Sequence, residues 1–191
     1  LAAPKYGNDI DEADNMVHEI GKLSAGIICS HNSWNGKPYN ILRSGLAYHY
    51  WAGKGVGALP DGRKAGEPLN DASLSPMRGV DKLGPTTVIR SALKADFKEA
   101  QMSILNQKFS GTLVQSQDSM EKLAALTETY LGNGGSFIQF NLIDKKTLLK
   151  AQKNPEQYQD LVVRVAGFCT YFVLLAPEVQ DDIIERAEQA L

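Results

Sequence analysis

Two cysteines, Cys29 and Cys169, are the only thiols in this chain. That is too few for a disulfide scaffold, and it points to a reducing, cytoplasmic setting. Histidine is as scarce: His18, His31 and His49 show no metal-ligand spacing, so no metal site is expected. No Lys/Arg-rich stretch exists and the net charge is −2, which excludes an electrostatic footprint for nucleic acid. Long apolar runs are missing too. The longest, Leu161 to Ala176, covers 16 residues and is interrupted by Arg164. A membrane helix needs roughly 20 residues without a central charge, so two strands around a tight turn suit this run better. The start, Leu1-Ala2-Ala3-Pro4-Lys5-Tyr6, has neither the basic region nor the apolar run of a signal peptide. It also has no initiator Met, so a fragment or a processed piece is expected.

What is present is ordinary for a globular protein: 191 residues, 43% hydrophobic and 22% charged, enough for one compact domain with a core. Asp9 to Ile28 reads as a helix capped by Asp9 or Asp11, with Ala13, Met16, Val17, Ile20 and Leu23 at helical spacing. Tyr39 to Ala52 is mixed, with room for a short helix. Gly53 to Pro85 holds seven glycines and four prolines, yet Val56, Leu59, Leu69 and Leu74 argue for an ordered irregular segment. Val88 to Ala95 fits a strand or a short helix, with Gln101 to Phe109 beside it. Ser116 to Leu131 predicts a helix with Leu123, Leu126 and Tyr130 on one face, ended by Gly132-Asn133-Gly134-Gly135. Ser136 to Ile143 alternates like a strand, and Asp144 then caps a helix through Gln152. Leu161 to Val165 and Cys169 to Leu174 read as extended pieces around an Ala166-Gly167 turn. Pro177 to Leu191 reads as a helix striped by Val179, Ile183, Ile184 and Ala187. Strands alternate with helices, which favours an α/β fold.

Several residues invite sharper readings. Gly53-Lys54-Gly55-Val56-Gly57 lacks the G-x-x-x-x-G-K-[S/T] pattern of a phosphate loop and reads as structural. Asp11, Glu12 and Asp14 suit a helix start, where the dipole favours them, and Asp181, Asp182 and Glu185 read as a solvated face. His18 is expected in solvent, and His31 and His49 in structural roles. Both cysteines are expected to pack as small hydrophobes. Gln139 and Asn141 alternate with Phe140 and share the opposite side of their strand.

The decisive stretch is Arg164-Val165-Ala166-Gly167-Phe168, in which Gly167 stands 24 residues before the end of the sequence. A glycine between two β-like runs is most often a plain turn or bulge. Here its surroundings add information: Asn141-Leu142-Ile143-Asp144, then Leu148 to Glu156, then Leu161 to Phe168, then Val179-Gln180-Asp181-Asp182-Ile183-Ile184. Upstream stand Pro4-Lys5-Tyr6-Gly7-Asn8-Asp9, Ala58 to Leu69, and Ser75-Pro76. Together, and in this order, these segments resemble the C-terminal portion of glycyl radical enzymes of the pyruvate formate-lyase type. They are closer to the dehydratase and decarboxylase members than to pyruvate formate-lyase itself.

The resemblance implies the C-terminal part of a ten-stranded α/β barrel with a central radical loop. Residues 1–68 would belong to the barrel and 69–191 to the glycine radical domain. It implies Gly167 as the radical residue, Arg164, Val165, Ala166 and Phe168 as its supporting loop, and Gln139 and Asn141 as contacts to substrate or loop. No bound cofactor is implied; an activating enzyme that cleaves S-adenosylmethionine installs the radical after translation. The radical then passes to a catalytic cysteine, which this chain is expected to lack because Gly26-Ile27-Ile28-Cys29-Ser30-His31 does not match the family's cysteine motif. The chain would therefore be a fragment or subunit of a lyase or dehydratase, or else a stand-alone spare part replacing an oxygen-damaged C-terminus. Its expected partners are the activating enzyme, the cysteine-bearing remainder, a small-molecule substrate and further copies of itself in a homo-oligomer, with no nucleic acid and no membrane.

Chemistry explains why such a site needs glycine. A backbone radical is stabilised when Cα flattens and shares its electron with the flanking amide nitrogen and carbonyl. A side chain on Cα would clash with those planar neighbours, and glycine has none. The flanking apolar strands are expected to bury Gly167 away from water and oxygen.

Overall fold

A computed structural model describes residues 2–45, 47–95, 100–111, 116–186 and 188–189. The elements run α1 (Asp11–Cys29), β1 (Ile41–Arg43), α2 (Tyr48–Lys54), α3 (Pro85–Lys94), β2 (Ala100–Phe109), α4 (Gln117–Gly132), β3 (Phe137–Asn141), α5 (Lys145–Lys153), β4 (Val162–Arg164), β5 (Cys169–Tyr171), α6 (Pro177–Glu185) and β6 (Glu188–Gln189). The architecture is α/β, and β2 is its centre. β3 lies along one edge of β2 in parallel, with Ile104 to Lys108 facing Phe137 to Asn141. On the other edge β1 pairs with the start of β2 and β6 with its end, both in parallel. Between those two, residues 73–75 cover the strand: Leu74 N–H donates to Ile104 O at 3.0 Å, while Ser73 and Ser75 Oγ accept from the Ile104 and Asn106 amides at 2.9 and 3.1 Å. The serine hydroxyls stand in for a strand partner, so the buried edge keeps its hydrogen bonds.

Local chemistry sets the element ends. Pro85 begins α3 after Gly84 at φ 92, and the missing proline N–H costs nothing at a helix start. Ser116 Oγ caps α4 by accepting from Ser119 N–H at 3.1 Å, and Gly134 at φ 101 follows the helix end. Asp144 caps α5 through Thr147 N–H at 2.8 Å, which holds its carboxyl below the usual carboxylate range and stabilises the helix by about 1 kcal/mol. The stretch expected as strand or short helix is helix α3, because Val88, Ile89 and Ala92 fall on one face and pack on Leu105, Phe109, Leu126 and Tyr130 of β2 and α4. Residues 55–84 carry no helix or strand but are well organised. Arg63 is nearly buried there and donates to the carbonyls of Val56, Gly57 and Glu67.

Several expectations are corrected. The apolar stripe of α1 is largely uncovered: Met16, Ile20 and Leu23 are 60–66% exposed. That helix carries Asp11, Glu12 and Asp14 in its first turn as expected, and it turns Asp14 inward, buried onto Ser91 and Lys94 of α3 at 3.0 and 3.1 Å. No side chain caps α1, because Asp9 adopts a left-handed φ of 56 and pairs with Arg90 and Lys94. Helix α6 ends at Glu185 rather than continuing to Leu191; Ala187 lies outside the described residues, and β6 follows. Cys29 and Cys169 are both exposed, not packed. No helix among the described residues is long and apolar enough to cross a membrane.

Candidate functional site

The second core forms around an antiparallel hairpin. β4 and β5 pair Val162 with Tyr171, Val163 with Thr170 and Arg164 with Cys169. Val163, Val165 and Phe172 point inward against Leu148 and Ala151 of α5 and Ile183 and Ile184 of α6. Val165 N–H donates to Phe168 O at 3.0 Å, which closes the turn around Ala166 and Gly167. Gly167 has φ 82, in the left-handed region where an L side chain meets its own backbone. Ala166 is buried, Gly167 is half-buried and Phe168 is 43% exposed. The expectation of a buried Gly167 is therefore corrected. The glycine sits at the tip of the hairpin, where the described residues cover it only in part.

Two side chains of β3 hold that tip. Strand alternation puts Gln139 and Asn141 on the same face, and both reach the hairpin. Asn141 brackets Arg164 like a strand neighbour: its Oδ1 accepts from Arg164 N–H at 2.9 Å and its Nδ2 donates to Arg164 O at 2.6 Å. Gln139 Oε1 accepts from Gly167 N–H at 3.2 Å and from Arg164 Nε at 2.7 Å. Arg164 Nη1 also lies 3.2 Å from Cys169 Sγ across the hairpin. The structure thus brings together Gly167, Arg164, Gln139 and Asn141, with Val165 and Ala166 packed behind and Phe168 facing outward.

Behind the hairpin lies a group of charges that the sequence does not bring together. Asp182 is 1% exposed and accepts on Oδ2 from His49 Nε2 and Arg186 Nη2, each at 3.0 Å. Arg78 Nη1 lies 3.5 Å from its Oδ1 and 2.6 Å from Glu185 Oε2. Arg186 in turn donates to Val165 O at 2.6 Å and meets Asp71 Oδ2 at 3.2 Å, where Asn106 Nδ2 also binds at 3.1 Å. Burial is the largest influence on the Asp182 carboxyl and pushes its pKa up. Hydrogen bonds and charge from His49 and Arg186 outweigh it, and the net shift is downward. The reading of Asp182 as solvated is therefore wrong, although Asp181 and Glu185 are exposed. The available signal was angular: at about 100° per residue, Asp182 and Arg186 share a helix face that Asp181 does not.

A depressed carboxyl pKa stabilises the fold above the unfolded-state value of about 3.9 and stops doing so as pH falls through the folded value. Stability should therefore fall steeply with acid below about pH 4, and Asp182→Asn should flatten that slope by up to about 1.4 kcal/mol per pH unit. Denaturant unfolding at a series of pH values measures this, and an unchanged slope in the variant would refute it.

The profile of the family described as Glycine radical matches residues 71–173, which contain β2, β3 and the whole hairpin. The chain belongs to the glycyl radical enzyme family and is similar to its dehydratase and decarboxylase members. It is 39% identical over 186 residues to trans-4-hydroxy-L-proline dehydratase of Clostridioides difficile, covering 97% of this chain and 23% of that protein. It is 35% identical over 188 residues to indoleacetate decarboxylase of Tractidigestivibacter scatoligenes, covering 98% of this chain and 21% of that protein. The glycerol-bound B12-independent glycerol dehydratase of Clostridium butyricum matches in structure with a TM-score of 0.95 and 40% identity, over 100% of this chain and 24% of that one. The chain thus spans about a quarter of the length of the relatives it matches.

Proposed function

We propose that this chain is the radical-storing part of a glycyl radical lyase or dehydratase, with the unpaired electron on the Cα of Gly167. One observation carries the reading: within the span matched to the family, a glycine at φ 82 forms a hairpin tip and has its amide held by a buried glutamine. In this reading the activating enzyme reduces S-adenosylmethionine by one electron to methionine and a deoxyadenosyl radical. That radical takes one hydrogen atom from Gly167 Cα and leaves as deoxyadenosine. Gly167 then takes a hydrogen atom from a cysteine in the remainder of the enzyme, and the thiyl radical attacks the substrate. The protein supplies position and shielding while the radical carries the chemistry.

Half-burial of the tip sets a requirement. The rest of the enzyme must cover Gly167, which supports the reading of this chain as one part of a ten-stranded barrel enclosing the hairpin. The family match beginning at residue 71 supports placing the glycine radical domain at 69–191 and assigning residues 1–68 to the barrel. Gln139 Nε2 is buried without a hydrogen-bond partner among the described residues, so it is the group placed to serve substrate or a neighbouring segment. The relatives named above support elimination of water or loss of carboxylate from a small molecule as the reaction class. A cytoplasmic, oxygen-poor setting and a homo-oligomer complete the proposal. The stand-alone spare-part alternative is less favoured, since those relatives are enzymes in their own right.

The test is anaerobic activation followed by air. Oxygen adds to a carbon radical and breaks the chain there, so mass spectrometry should find a cut at Gly167 and a C-terminal piece beginning near Phe168. An activated, spin-bearing protein that stays whole in air would contradict the assignment.

A further inference from the structure

We propose that Arg186 is a positioning residue that clamps the radical hairpin from behind and fixes the orientation of its tip. This rests on the reading of Gly167 above. Arg186 is more than nine-tenths buried, and its side chain reaches from the end of α6 to the backbone just ahead of the glycine. Nη1 donates to Val165 O at 2.6 Å and lies 3.4 Å from Arg164 O. These are the carbonyls two and three residues before Gly167. Their chain is also held from the other side, where Asn141 and Gln139 grip Arg164 and the Gly167 amide. The hairpin base thus lies between an amide pair on β3 and a guanidinium on α6.

The guanidinium itself cannot swing. Asp182 holds Nη2 and Asp71 holds Nη1, at 3.0 and 3.2 Å. Asp182 is pinned by His49 of α2 and approached by Arg78, while Asp71 is pinned by Asn106 of β2. Four separate segments therefore fix one cation, whose Nη1 meets the Val165 backbone oxygen as well as the Asp71 carboxylate. Arginine suits this place because its planar fork can serve a carbonyl and two carboxylates at once, which a lysine ammonium on a flexible stem cannot reproduce. An ion pair needed for stability alone would be complete with Asp182; the bond to Val165 O adds a fixed distance between α6 and the radical loop.

Hydrogen–deuterium exchange on the full-length enzyme, without activation, tests the clamp. In Arg186→Gln, peptides covering 161–172 should exchange faster by roughly tenfold to a hundredfold, the range carried by one charge-assisted hydrogen bond, while peptides from α4 and β2 keep their wild-type rates. Arg186→Lys should restore only part of the protection. Should Arg186→Gln unfold throughout, Asp71→Asn decides instead: it leaves the Asp182 pair intact and should still loosen the hairpin selectively. Hairpin rates equal to wild type, or acceleration spread evenly over the chain in both variants, would overturn the proposal. Because no radical is needed, the outcome is separable from that of the functional reading. Selective loosening in a protein that never forms a spin would keep the clamp and discard the radical; a spin on Gly167 with an unaffected hairpin would do the reverse.

Discussion

In Gly167→Ala, anaerobic activation should give no spin above background, where the wild type gives a signal. The magnitudes separate chemistry from folding. Placing an L residue at φ 82 costs about 1–2 kcal/mol, a fraction of the stability of a domain. The hairpin keeps its pairing from Val162 to Tyr171 and its packing of Val163, Val165 and Phe172 on α5 and α6. The variant should therefore stay folded with a modestly lowered melting temperature. What it loses is the Cα with two hydrogens and no side chain, the only kind of backbone carbon that gives up a hydrogen and then lies flat between two peptide planes without a clash. Electron paramagnetic resonance measures the spin, and circular dichroism confirms the fold in the same sample. A full signal in the variant would move the radical elsewhere.

Asp182→Ala should destabilise the protein by about 3–5 kcal/mol, while Asp181→Ala, one residue away on the same helix, should change stability by no more than about 0.5 kcal/mol. Both remove one carboxylate from α6. Asp181 is exposed and loses a surface bond to Gln152. Asp182 is 1% exposed, and its removal strands His49 in the interior and takes from Arg186 and Arg78 a buried counter-charge, leaving them only Asp71 and the exposed Glu185. The attraction within such a cluster and the cost of burying it nearly cancel in the intact protein, so the large effect comes from breaking it. Denaturant unfolding of the two variants side by side measures the contrast. Equal effects would mean that water reaches the cluster and screens it.

Local signals made much of this fold legible. Ser116 and Asp144 mark the starts of α4 and α5, Gly134 follows the end of α4, and the period-two pattern of Phe137 to Asn141 marks β3 and puts Gln139 and Asn141 on one face. The hairpin is readable from apolar runs on either side of Ala166-Gly167. Residues that depend on distant partners are not. His49 meets Asp182 across 133 residues of sequence, and nothing near either position announces the other. Asp182 looks like part of an acidic run because runs are read along the chain, whereas burial follows angle around the helix. The stripe of α1 shows the converse: Met16, Ile20 and Leu23 have core spacing, yet the described residues leave most of each exposed. The exposure of Gly167 is hidden from the sequence for a related reason. Apolar flanks shield the body of a hairpin, but its tip is shielded only by what it enters.

The most direct measurement is the electron paramagnetic resonance spectrum of activated protein whose glycines alone carry carbon-13 at Cα. An unpaired electron on a glycine Cα couples to that nucleus, so the spectrum should split and broaden relative to unlabelled protein. A spectrum unchanged by the label, or no spin at all after treatment with S-adenosylmethionine and the activating enzyme, would contradict a radical stored at Gly167.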